Sequence, residues 1–185
     1  MKKFLLPLVI LAFLTSCKKD NKVTENTYEA DSTVVIPETN EPADNIILTE
    51  YTPDQVSELL NRKNDTLYVT NFFATWCGPC VRELPHFREK MDELKGKPVK
   101  FTFVSLDQKS DWDSKVKEFG DAHGIAQQII LLDGMALAPD FMTKNFSQWD
   151  GGSIPFTFMR KGDKTDETVG MMTKDELERK LNSFN

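Results

Sequence analysis

The chain is expected to fold as an α/β domain, with a mixed central sheet and helices on both faces. Two observations predict this. Apolar runs rich in β-branched and aromatic residues alternate with segments whose apolar residues recur at helical spacing. The last two strand-like runs bracket a tight turn and lead into one more helix, so a hairpin and a helix close the series. About 140 of the 185 residues carry the pattern. That is enough for one core and too few for two. No internal repeat is present.

Each element has its own signal. Thr52-Pro53-Asp54-Gln55 is a helix start: a capping Thr, Pro in the first turn and Gln three residues after the Thr. Val56, Leu59 and Leu60 then form an apolar stripe. Thr66–Phe73 is a β-branched and aromatic run that predicts a buried central strand. The next helix should start at Cys77 and reach about Leu94, with Leu84, Phe87, Met91 and Leu94 inward and a kink at Pro85. Gly96-Lys97-Pro98 ends it, and Val99–Ser105 alternates as a strand. A helix from Ser110 is expected to bury Trp112, Val116 and Phe119. A short strand at Ile129–Leu132 and a helix from Met135 to about Asn145 follow. Pro155–Arg160 and Glu167–Met171, on either side of Lys161-Gly162-Asp163, predict a hairpin. Thr173 with Glu176 opens the last helix.

The N-terminus is organised differently. Met1-Lys2-Lys3 precedes the apolar run Phe4–Phe13, which is too short to span a bilayer and reads as an export signal over residues 1–16. Leu14-Thr15-Ser16-Cys17 resembles a bacterial lipoprotein signal, in which the cysteine becomes the lipidated N-terminus; the alternative is an ordinary signal with a stray cysteine. Residues 17–45 are polar, with Pro37 and Pro42, and bury too little surface to offset chain entropy. They are expected to tether a domain over 46–185. The net charge of −6 becomes −8 once Lys2 and Lys3 are removed (21 Lys and Arg against 29 Asp and Glu). An acidic chain with no basic stripe argues against nucleic acid and leaves lipid at Cys17 as the membrane attachment.

The chemistry is concentrated at Trp76-Cys77-Gly78-Pro79-Cys80, between a strand and a helix. A C-x-x-C there reads as a redox couple. At a helix N-terminus, unpaired amides and the macrodipole favour thiolate over thiol. Cys77, expected to be the more exposed sulfur, is then the nucleophile. Gly78-Pro79 keeps the turn tight, so that Cys80 can attack the mixed disulfide and release the partner. Half a zinc site is the weaker reading, because Cys17, His86 and His123 lack partner spacing for four ligands. A purely structural disulfide would close a loop too short to stabilise much. Beyond the disulfide itself, no cofactor or metal is expected.

Phe72-Phe-Ala-Thr-Trp-Cys-Gly-Pro-Cys-Val-Arg-Glu-Leu-Pro85 resembles the TlpA/ResA group of envelope thiol–disulfide oxidoreductases in the thioredoxin superfamily. The resemblance covers about 47–185 and is most specific over 71–85. It implies a thioredoxin-like fold with an N-terminal extension and a central insertion, for which Asp107–Trp149 is long enough. Ile154-Pro155 matches that group's cis-proline, whose neighbourhood offers backbone groups to an extended substrate. Phe156 follows where a Thr is usual, and Trp149 and Gly151-Gly152 also depart from the pattern. Asn71 stands where cytosolic thioredoxins keep a buried Asp, and an amide cannot take a proton from Cys80. Glu83, three residues after Cys80, matches the acidic group that serves instead. Trp76 is expected to shield the disulfide and offer contact surface, and His86 to be a packing or surface residue.

The resemblance thus implies an extracytoplasmic thiol:disulfide oxidoreductase that reduces client disulfides, with a transmembrane thiol reductase as electron donor. Apocytochrome c, a mis-oxidised envelope protein or another redox carrier would be the client. A peroxiredoxin-like peroxidase is the near alternative. That chemistry wants Pro-x-x-x-Thr-x-x-Cys, whereas Thr75 is two residues before Cys77 and no Pro stands upstream. A non-catalytic binding module is the third reading, and the intact C-x-x-C argues against it.

Overall fold

The computed structural model describes residues 47–185, so the expected signal, the lipidation at Cys17 and the tether lie outside the described residues. The chain enters at β1 (Thr49–Glu50) and turns into α1 (Pro53–Leu60). Thr52 caps α1 reciprocally: Gln55 N donates to its hydroxyl at 3.2 Å, and Thr52 N donates to Gln55 Oε1 at 2.8 Å. β2 (Leu67–Phe73) is buried along its whole length, as a strand covered on both faces must be. α2 (Gly78–Glu93) continues through Pro85 without ending. β3 (Val99–Ser105) pairs in parallel with β2, from Leu67 opposite Val99 to Phe73 opposite Ser105.

The two helices expected in the central insertion are less regular than their spacing implied. Residues 109–123 form a 3-10 turn (Lys109–Asp111), a wide π turn (Trp112–Val116) and then α3 (Lys117–His123). Trp112 and Val116 still reach the core, and Trp112 Nε1 donates to Asp107 O at 2.9 Å. After β4 (Ile129–Leu131), the expected helix over 135–145 is split into a 3-10 turn (Gly134–Ala136) and α4 (Phe141–Asn145). Pro139 lies in the gap. It has no N–H to donate and disfavours the helical region for the residue before it. In the hairpin, β5 (Phe156–Lys161) pairs with β6 (Lys164–Val169), and β6 starts at Lys164 rather than Glu167. Gly162, at φ +57°, makes a two-residue turn that sets Lys161 opposite Lys164. α5 (Lys174–Asn182) closes the chain, capped by Thr173, which accepts from Glu176 N at 3.3 Å.

The sheet order is β1-β4-β3-β2-β5-β6, parallel as far as β2 and antiparallel at β5 and β6. One core joins Val69, Phe73 and Phe103 to Leu84 and Phe87 of α2 and Leu177 and Leu181 of α5. The other joins Phe72, Phe156 and Phe158 to Val56 and Leu59 of α1 and to Phe141, Phe146 and Trp149. Burying one such Phe contributes about 1.5–3 kcal/mol. Strand alternation follows the same division. Asn71 lies between Val69 and Phe73, and Thr157 beside Met159, so both polar side chains point toward α2.

Candidate active site

Cys77 is the N-cap of α2, and its Sγ accepts from Cys80 N at 3.2 Å. Cys77 and Cys80 are joined as a disulfide with their Cα atoms 5.3 Å apart. An amide directed at Cys77 Sγ, reinforced by the helix dipole, stabilises negative charge there when the bond is reduced. Cys77 was expected to be the more exposed sulfur, and it is by a small margin. Both residues are buried, at 4% and 1% exposed. What separates them is access: Cys77, and not Cys80, lines a depression of about 430 Å³ with Trp76, Gly78, Pro79, Leu106, Ile154 and the loop 151–153. Trp76 is 72% exposed, so it offers contact surface and is not part of the core.

Glu83 is fully buried one turn beyond Cys80, on the face of α2 that meets β2 and β5. Its Oε1 accepts from Asn71 Nδ2 at 2.8 Å, and its Oε2 accepts from Met172 N at 2.9 Å. Asn71 Nδ2 also donates to Thr157 Oγ1 at 2.9 Å, while Asn71 Oδ1 is buried without a partner. Burial pushes the Glu83 carboxyl up from 4.5 to about 7, against the two hydrogen bonds from Met172 and Asn71, which pull it down. A carboxyl near 7 is suited to exchanging a proton at neutral pH. Thr157 and the Met172 amide were not singled out from sequence. For Thr157 a signal was available: it is one polar residue in the apolar run Phe156–Met159.

The Ile154–Pro155 bond is cis. Pro155 O accepts from Gly170 N at 2.8 Å, while Ile154 N has no partner among the described residues. Ile154 O lies 3.7 Å from Cys77 Sγ. The three departures from the family pattern are connected. Phe156 is fully buried and stacks on Trp149 at 4.3 Å and 14°, so it faces the second core and not the depression. Trp149 Nε1 donates to Ser153 O at 2.7 Å, which ties the loop to that stack. Gly151, at φ +84°, holds a backbone conformation that favours glycine, with Met142 packed against it. Phe156 thus supports the depression's wall from behind.

The turn before Cys77 is held from another side. Thr75 N and Thr75 Oγ1 donate to the Asp107 carboxylate, the hydroxyl at 2.7 Å, and Ser105 Oγ donates to it at 2.9 Å. Sequence reasoning missed Asp107, an acid two residues past the buried end of β3. The same bonds bear on the peroxidase alternative, because the Thr75 hydroxyl is committed to Asp107. His86 lies half-buried on α2.

The AhpC/TSA family model matches residues 40–162, more than half of the sequence. The chain belongs to the AhpC/TSA family. It is 26% identical over 138 residues to the thiol-disulfide oxidoreductase ResA of Bacillus thuringiensis (strain Al Hakam), covering 74% of this chain and 72% of that one. It is 32% identical over 117 residues to the thioredoxin-like protein YneN of Bacillus subtilis (strain 168), covering 60% and 61%. Among solved structures, a thioredoxin family thiol:disulfide interchange protein from Chlorobium tepidum TLS superposes with a TM-score of 0.53 at 24% identity, over 69% of this chain and 83% of that one. This member of the family therefore has a thioredoxin-like fold, as its sequence predicted.

Proposed function

We propose that this thiol–disulfide oxidoreductase works outside the cytoplasm as a reductant of client disulfides, held to a membrane by lipid at Cys17. One observation carries the exchange chemistry: Cys77 Sγ caps α2, receives the Cys80 N–H and lines the depression beside the cis-proline. In the reduced pair, the Cys77 thiolate attacks one sulfur of a client disulfide, and the other client sulfur leaves as a thiolate. Cys80 then gives up its proton, attacks Cys77 Sγ and expels the second client thiolate. The client gains two electrons and two protons, one released by Cys80 and one from solvent, and the pair becomes a disulfide. Glu83, one turn from Cys80 and near 7, is the group that accepts the Cys80 proton. The Ile154 N–H and the exposed Trp76 hold an extended client segment across the depression.

Compartment and anchor rest on the N-terminal pattern from Met1 to Cys17. With Cys17 lipidated, the three cysteines reduce to the one redox pair, so the mature chain has no other thiol to scramble. Among the described residues, no helix is long and apolar enough to cross a membrane. A reductant placed there needs electrons from a transmembrane thiol reductase, and its client is apocytochrome c, a mis-oxidised envelope protein or another redox carrier. The disulfide is the only redox group the proposal needs. The test is a trap. Cys80→Ser in cells should accumulate mixed disulfides that dithiothreitol dissolves, and Cys77→Ser should not. Trapping by Cys77→Ser alone would reverse the sulfur roles.

A further inference from the structure

We propose that Asp107 sets the redox poise of the Cys77–Cys80 pair, as a buried anion clamped to the turn that carries the nucleophile; this rests on the exchange reading above. Asp107 lies two residues past the end of β3 and is 1% exposed. Every hydrogen-bond partner of its carboxylate is a donor. Thr75 N lies 3.2 Å from Oδ1 and 3.0 Å from Oδ2, Thr75 Oγ1 2.7 Å from Oδ1, and Ser105 Oγ 2.9 Å from Oδ2. These contacts bring donors to both carboxylate oxygens and bond Asp107 to the turn that carries Cys77. No cation neutralises it among the described residues. The nearest lysines in sequence are engaged elsewhere, Lys109 with Glu50 and Asp133 and Lys115 with Asp111.

A buried charge held only by neutral dipoles keeps its field, because little solvent screens it. Thr75 stands two residues before Cys77, so that field reaches the nucleophile. The disulfide is neutral, whereas the reduced pair carries the Cys77 thiolate. Asp107 therefore weighs against the reduced, ionised state and makes the dithiol a stronger electron donor. It opposes the Cys80 N–H and the dipole of α2, which favour the thiolate. Two other ionisable groups lie on the first turns of α2: Arg82, whose Nη1 lies 3.5 Å from where a Gly78 Cβ would stand, and Glu83. Asp107 differs from both in its bond to the turn itself. With Asn71 in place of a buried acid beneath the disulfide, Asp107 supplies negative charge from the flank.

Equilibrating the full chain in detergent against glutathione buffers, with thiols counted by alkylation, reads this directly. Asp107→Asn keeps the side-chain size, and Ser105 Oγ can turn to accept from the new amide. It is expected to shift the equilibrium about tenfold toward the dithiol, equivalent to about 30 mV more oxidising. Thr75→Val, which loses the hydroxyl bond but keeps the charge, should stay within twofold of wild type. Asp107→Ser removes the charge in another way and should shift like Asp107→Asn, so either neutral variant that folds decides the matter. No shift in the neutral variants overturns the proposal. An equal shift in Thr75→Val also overturns it, because clamp geometry and not charge would then set the poise. A wild-type pair that never equilibrates with glutathione sinks the exchange reading too, an outcome distinct from the other two.

Discussion

Replacing Glu83 by Gln should stabilise the oxidised protein at alkaline pH and leave it near wild type at acid pH. In the folded state the carboxyl is raised from 4.5 to about 7, chiefly by burial. A raised carboxyl favours folding in its protonated form. Its contribution is fully present below pH 4.5 and is lost as pH rises through about 7. The full loss is about 3 kcal/mol, from the difference between those two values. Gln cannot ionise, so it escapes that loss. It also fits the site. Asn71 can turn its amide so that the unpartnered Oδ1 accepts from the Gln amide and from the Thr157 hydroxyl, leaving the Gln carbonyl for Met172 N. Urea unfolding of both oxidised proteins from pH 4 to 9 measures the effect. With a slope of about 2 kcal/mol/M, the Gln variant should gain roughly 1.5 M in midpoint between the ends of that range. A stability difference that stays constant across pH would refute a Glu83 carboxyl raised by burial to about 7.

Other consequences are equally direct. Glu83→Gln should also slow exchange near neutral pH, and matching pH–rate profiles for the two proteins would remove its part in proton transfer. The potential should lie nearer the roughly −270 mV of thioredoxin than the roughly −120 mV of a strong oxidant, since neither Gly78 nor Pro79 adds charge between the cysteines; a value at the oxidant end would overturn the reductant direction. Cys17→Ala should abolish incorporation of a fatty-acid analogue, and retained label would rule out lipidation there. Phe156→Ala should lose about 3–5 kcal/mol in urea unfolding, because it empties a fully buried site against Phe72, Phe146 and Trp149; a loss under about 1 kcal/mol would show that the stack does not support the loop.

The redox pair, the helix caps and the sheet class were legible in the sequence because each rests on local order. A cysteine at a strand–helix junction becomes an N-cap by position alone, and Thr52 and Thr173 cap through residues three positions away. Strand alternation fixed which residues share a face with α2. Local order also misled where one residue outweighed a pattern. Pro139 divided an expected helix, and the turn at Gly162 brought β6 forward to Lys164.

Only the tertiary structure decided what surrounds the pair, because those neighbours come from distant parts of the chain. Glu83 meets Asn71, twelve residues before it, and Met172, eighty-nine after it. Its pKa is set by burial, which no spacing encodes. Phe156, an apparent break in the substrate site, turned out to be a core residue stacked on Trp149. Asp107 was silent in the sequence, since a lone acid after a strand is ordinarily solvated. It became informative once the fold removed its solvent and placed Thr75 against it. The sequence by itself determined the chemistry of the pair and the class of the sheet, which depend on residue type and local spacing. The tertiary structure decided which charges and dipoles tune that chemistry, because electrostatic energy depends on distance and burial in space.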